Sequence, residues 1–326
     1  MKQNIFKRAG GGLLAAALVA VAPNVSALVL SYEDTTSGRA IGTPFTGGDF
    51  RINLQNFDMG STYPDLAVGA SVGFGQGGAS ANRAAGTAAL DGIQVAPATG
   101  RVGAEDTWGI ARILTITDAA GAVIWSEPVK NAQITAMFYG EQDFYVQQLA
   151  NGFQHINGVG LNVDFYFQSK AVPTYTAYNP LLGSAGRTGL DTYTSVTDGQ
   201  QFLRTTSTGG FLHPAGTLGG LTAEFLSVYN ATSGGTGQTY LNVIGGTDAA
   251  QFNTNGYVSP FGTGNTADLF AAFTTTPTTV SNWLVASNDP ISGNLASVPD
   301  GGSTLLMLGA GLILLGLRQQ RKNGKA

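Results

Sequence analysis

Apolar and polar positions alternate along this chain in short bursts rather than in helical periods. Residues 50–57 (FRINLQNF) place Phe50, Ile52 and Leu54 on one face before the register shifts at Phe57. Residues 108–117 (WGIARILTIT) predict a longer strand, and Asp118-Ala-Ala-Gly121 is turn chemistry that joins it to residues 122–127 (AVIWSE) as a hairpin. Residues 133–139 (QITAMFY) predict the next strand. The clearest alternation sets Val159, Leu161, Val163, Phe165 and Phe167 inward and Asn162, Asp164, Tyr166 and Gln168 outward, the pattern of a half-buried antiparallel strand. Residues 222–229, 239–244, 269–273 and 281–286 are further strand candidates. Residues 73–86 and 233–237 are small-residue stretches that read as loops. No repeat of fixed period is present, which disfavours a solenoid or propeller. The expectation is an all-β chain built as an antiparallel β-sandwich, jelly-roll-like in its spacing.

The two ends follow different rules. Lys2, Lys7 and Arg8 precede an apolar stretch over residues 9–22, and Val25-Ser26-Ala27 offers small residues before a cut. This predicts a secretory signal peptide over residues 1–27 with an apolar helix, cleaved after Ala27. At the other end Val298-Pro299-Asp300-Gly301-Gly302-Ser303-Thr304 precedes an apolar run over residues 305–317 (LLMLGAGLILLGL), and Arg318, Arg321, Lys322 and Lys325 follow. As a helix that run spans roughly 20 Å, short of a hydrocarbon core of about 30 Å, so it is a marginal transmembrane helix. The basic cluster fits a cytoplasmic stop.

That order of short extended motif, apolar segment and basic tail resembles the C-terminal sorting signal of exosortase substrates, the PEP-CTERM proteins, and most closely their VPDSG-type variant. Gly301 stands where that variant commonly has Ser. The stretch from Glu105-Asp106-Thr107-Trp108-Gly109 to Met137-Phe138-Tyr139-Gly140-Glu141-Gln142-Asp143-Phe144 is also similar to the bodies of uncharacterised PEP-CTERM proteins, over about residues 104–167. The resemblance implies export, transient membrane tethering, processing by an exosortase-type membrane enzyme near residues 298–304, and a final place on the cell surface or in a polysaccharide matrix. It brings no catalytic residue. The expected organisation is a signal peptide (1–27), a secreted domain (28–297) and a sorting signal (298–326).

Charge sharpens this picture. All 20 acidic residues but only 9 of the 16 basic ones lie between residues 28 and 302, so this body carries −11 against −4 for the whole chain. Such a surface repels phosphates and argues against a nucleic-acid partner. The chain has no cysteine, which removes disulfides, thiolate catalysis and cysteine-ligated metals.

Candidate chemistry is sparse. Glu141 and Asp143 stand two apart and share a face on a strand, whereas Glu105 and Asp106 do not. The first pair is open to three readings: turn solvation at Gly140, a calcium site, or the two carboxylates of a glycosidase. His155 and His213 read as turn or surface residues without the spacing of a metal or triad site. Gly73-Phe-Gly75-Gln-Gly-Gly78 lacks the strand–turn–helix setting of a phosphate loop. Tyr139, Phe144, Tyr145, Tyr166, Tyr175, Tyr178 and Tyr193 are candidates for stacking on sugar rings. The sequence therefore predicts a non-enzymatic surface or matrix protein with no cofactor, alternatively a carbohydrate-binding one, and more remotely a secreted hydrolase.

Overall fold

The computed structural model describes residues 48–60, 67–73, 105–212 and 223–295. The signal segment, the sorting motif from Val298 to Ser303, the apolar run 305–317 and the basic residues Arg318, Arg321 and Lys322 lie outside them, as do His213 and residues 74–104.

Among the described residues sixteen strands form in chain order: β1 (Asp49–Gly60), β2 (Ser71–Gly73), β3 (Thr107–Asp118), β4 (Val123–Ser126), β5 (Ala132–Gln148), β6 (Gln154–Val159), β7 (Asn162–Ser169), β8 (Arg187–Gly189), β9 (Thr192–Tyr193), β10 (Gln200–Ser207), β11 (Phe225–Asn230), β12 (Gly234–Gly245), β13 (Tyr257–Val258), β14 (Thr266–Ala267), β15 (Leu269–Pro277) and β16 (Val285–Asn294). The predicted hairpin forms as expected, with the Asp118 carbonyl accepting from Gly121 N–H at 3.0 Å and its carboxylate accepting from the amides of Ala120 and Ala122. The pairing is antiparallel throughout, and it closes on itself.

The architecture is an eight-stranded antiparallel barrel and not a jelly-roll sandwich. Strand β5 pairs along its length with β6 and then β7, which run on as one lane. Strands β10 and β11 share the next lane, β10 beside β7 and β11 beside β6. Strand β12 takes both of them, and β15, β16, β1 and β3 follow in order. The pairing of β3 with β5 completes the ring. The alternation of a barrel strand and a sandwich strand is the same, because both bury one face. Only the β3–β5 and β10–β12 pairings tell them apart.

The inner face is apolar at one end. Ile52, Leu54, Ala111, Ile113, Ile134, Ala136, Val163, Phe165, Leu241, Leu269 and Ile291 interdigitate there. Phe252, on the one-turn helix Ala249–Phe252, packs edge-on against Phe50 at 5.5 Å and against Phe202 at 6.3 Å. On β1 the inward set continues past Leu54 to Asn56 and Asp58, so no shift occurs at Phe57; Phe57 and Met59 are buried because the outer face is covered there too.

That cover changes the reading of the clearest strand. Asp164, Tyr166 and Gln168 point outward yet are buried, under the excursion between β7 and β10. Asp164 accepts hydrogen bonds from the Tyr139 hydroxyl (3.1 Å) and from Gln201 Nε2 (2.9 Å). Gly160, at φ +80°, breaks the alternation, and Val159 packs against Ala223 instead of joining the inner core. Trp283, Trp108, Tyr193 and Met137 make a second, outer core beneath the excursion.

Of the stretch 233–237, Ser233 stays in the turn but residues 234–237 are not a loop: they open β12. Its glycines sit where chains press together: a Cβ on Gly235 would lie 2.1 Å from the Val228 carbonyl, and one on Gly237 2.1 Å from the Phe273 ring. Residues 281–284 lie before β16 rather than in it.

Candidate functional site

The acidic residues singled out by sequence meet where β3 crosses β5. Strand β5 carries an extra residue opposite Trp108, and Gly140 takes φ +84° to accommodate it. Gly140 N–H donates to Glu105 Oε1 at 2.5 Å, Asp106 N–H donates to the Glu141 carbonyl at 2.7 Å, and Asp143 N–H donates to Asp106 Oδ2 at 2.9 Å. Two of the four carboxylates thus satisfy backbone amides that the bulge takes out of the ladder.

Glu105 turns to the outer core. Arg187 grips it through two hydrogen bonds, Nη1 to Oε2 at 2.6 Å and Nη2 to Oε1 at 3.1 Å. Arg187 also donates to the carbonyls of Leu190 (2.5 Å) and Gly189 (3.1 Å), and its guanidinium lies 4.4 Å from the centre of the Trp108 ring. Burial raises the Glu105 carboxyl above its ordinary range, and the Arg187 and Gly140 hydrogen bonds oppose that rise.

Glu141 and Asp143 do share a face, as their spacing requires. Both converge over Gly158: a Cβ there would lie 1.5 Å from Glu141 Oε1 and 3.4 Å from Asp143 Oδ1. Glu141 is completely buried, and neither of its oxygens accepts a well-formed hydrogen bond. Burial, then the charges of Asp143 and Asp106, hold its carboxyl well above the usual carboxylate range, and the Thr107 hydroxyl offsets this only in part. The arrangement is that of a pair sharing a proton.

A carboxyl raised on folding contributes stability that is full below its unfolded value and is lost as pH rises through the folded one. Glu141→Gln, which keeps the shape and carries N–H donors toward Asp143, removes that loss. In thermal melts the variant should outlast the parent by about 1 kcal/mol or more at about pH 8 and match it at about pH 4. A variant less stable than the parent at the higher pH would mean that Glu141 is held as a carboxylate.

Beside this wall the barrel interior holds two cavities of about 90 and 70 Å³. They share Asp58, Thr107, Phe225 and Phe273; the first is walled by apolar residues such as Leu161 and Ile291, and the second adds Asp143, Ser227, Tyr229 and Thr275. No group of three metal-ligating side chains is assembled among the described residues. His155 lies in β6, not in a turn, edge-on to Tyr145 at 6.3 Å.

The aromatic residues sort differently from expectation. Tyr139, Tyr166 and Tyr193 are buried beneath or within the covering excursion and present no face to a ligand. A group that sequence reasoning missed stands on the outside of β12 and β15. Tyr240 lies 4.8 Å from Phe270, 4.3 Å from Phe211 in a stacked pair, and 5.7 Å from Tyr257. Tyr240, Phe270 and Tyr257 are half-buried. The signal was their outward parity beside the inward Leu241 and Leu269, but joining them needs the β12–β15 register.

No family model, no curated protein and no solved structure matches this chain.

Proposed function

We propose that this chain is a non-enzymatic exported protein of the cell surface or extracellular matrix, delivered by its signal peptide and processed by an exosortase-type membrane enzyme through residues 298–326. The observation that carries the reading is the order of the C-terminal parts: Val298-Pro299-Asp300 with a Gly pair, a short apolar run, then Arg318, Arg321 and Lys322. Pro299 and the two glycines stop a membrane helix from running back into the folded domain, leaving the motif extended for an enzyme to take. The barrel is consistent with work in water. At one end its inward positions are apolar, whereas the outward positions of β1 there are Arg51, Asn53 and Gln55, the reverse of a lipid-facing barrel. Replacing Pro299 and Asp300 by Ala should leave full-length protein in the membrane fraction, read by immunoblot of fractionated cells. Unchanged release of the mature domain sinks the sorting proposal.

The half-buried aromatic group on β12 and β15 favours a second reading, that the barrel binds carbohydrate. Exposed rings offer area to sugar faces at low entropic cost. A hydrolase draws no such support. Glu141 is wholly buried and meets Asp143 over one glycine, an enclosed pair unlike the cleft-lining carboxylates that paired-carboxylate hydrolysis requires.

A further inference from the structure

The outer aromatic group is one end of a longer surface. The register places Tyr240 beside Phe270, Phe270 beside Ser292, and Ser292 beside Arg51, so these four form one row across β12, β15, β16 and β1. Three strand spacings make that row about 14 Å long. Where it reaches β1 it opens into a groove of about 450 Å³ lined by Asp49, Arg51, Asp118, Tyr257, Ser292 and Asn294. Tyr257 belongs to both parts, lining the groove while its ring packs 5.7 Å from Tyr240 and 6.3 Å from Phe270.

The polar groups of the groove are held in place. Asn294 Nδ2 donates to Asp49 Oδ1 at 2.8 Å, and Asp118 is fixed by the amides of Ala120 and Ala122 at 2.9 and 2.8 Å. Carboxylates, an amide and a guanidinium set around an aromatic ring form a donor and acceptor set for vicinal hydroxyls, with the ring as a platform for the apolar face of a sugar. Two carboxylates against one guanidinium leave the groove net negative. That balance repels phosphate and uronate and accepts an uncharged chain.

We propose that this groove, with the row leading from it, binds a neutral polysaccharide. The proposal deepens the carbohydrate reading and rests on it. Tyr257 is the stacking platform, Asp49 and Asp118 accept from hydroxyls, and Arg51 and Asn294 donate to them.

Affinity electrophoresis tests this on the purified full-length chain in mild detergent, through gels containing hydroxyethylcellulose, a galactomannan, or alginate with chelator. Retardation is expected in at least one neutral polymer and not in alginate. Tyr257→Ala should weaken the retarding interaction about tenfold, equivalent to ~1.4 kcal/mol, and Tyr257→Phe should keep it. Arg51→Ala, at an exposed position that leaves the fold intact, should weaken it as well. Retardation unchanged in both Tyr257→Ala and Arg51→Ala overturns the groove but leaves the broader carbohydrate reading standing. Retardation by alginate alone overturns the neutral ligand. No retardation in any gel overturns the site and the carbohydrate reading together.

Discussion

Replacing Arg187 by alanine should destabilise the folded protein by about 3–5 kcal/mol, the cost of stranding one member of a buried ion pair. Both side chains are out of water, Arg187 at 2% and Glu105 at 0% exposure. The guanidinium has two bonds to the carboxylate, two to backbone carbonyls, and a face against Trp108. Denaturant titration measures the effect. A loss under about 1 kcal/mol, typical of an exposed pair, would show that the Glu105 wall holds without its cation. Since burial already raises the Glu105 carboxyl, the variant should protonate it more readily and lose stability more steeply as pH rises. Adding Glu105→Gln to an Arg187→Met background should recover much of the loss, because neither member of the pair then strands a buried charge.

Trp283→Ala should cost about as much, 3–5 kcal/mol for deletion of a buried tryptophan, but through a different failure. Trp283 sits among Trp108 (5.2 Å), Phe57 (6.0 Å) and Tyr193 (6.1 Å), and its Nε1–H donates to the Pro180 carbonyl at 2.7 Å. It joins the turn before β16 to the excursion that covers β5 and β7. Without it, the excursion should open before the barrel does, since the inner core shares no buried residue with the outer one. Limited proteolysis followed by mass spectrometry should then find new cuts between residues 170 and 199 while the strands stay intact. Cuts spread evenly over the strands would show a single cooperative unit instead. Trp283→Phe, which keeps a ring and loses the N–H, should fall between the two.

Much of the local structure was legible in the residues. The Asp118–Gly121 turn, the alternation from Leu161 to Phe167 and the common face of Glu141 and Asp143 all depend on neighbours in sequence, and all are present. What escaped depends on partners far apart. Arg187 meets Glu105 across 82 positions, and no spacing rule announces it. The glycines of β12 look like loop residues until the Val228 backbone and the Phe273 ring are seen to press on them. Asp164 and Tyr166 have the polarity of solvated positions and are covered by a segment whose regular structure is only the 3₁₀ turns of Pro180–Gly186 and the short β8–β9 pair. The sandwich expectation failed for the same reason, because closure of a sheet is decided by which lanes meet and not by what any lane contains.

Closure has a consequence for a chain that has no cysteine and hence no disulfides. A sheet with ends exposes unpaired amides and carbonyls along its last strands, and these recruit strands from neighbouring copies. In this ring each of the eight lanes is flanked by two others among the described residues, so the long strands are paired on both sides and single-sided pairing is left to the short strands β2, β4, β8, β9, β13 and β14. Copies that meet have little backbone to share, and their contacts fall mainly to side chains on outer faces and loops, where single substitutions tune them.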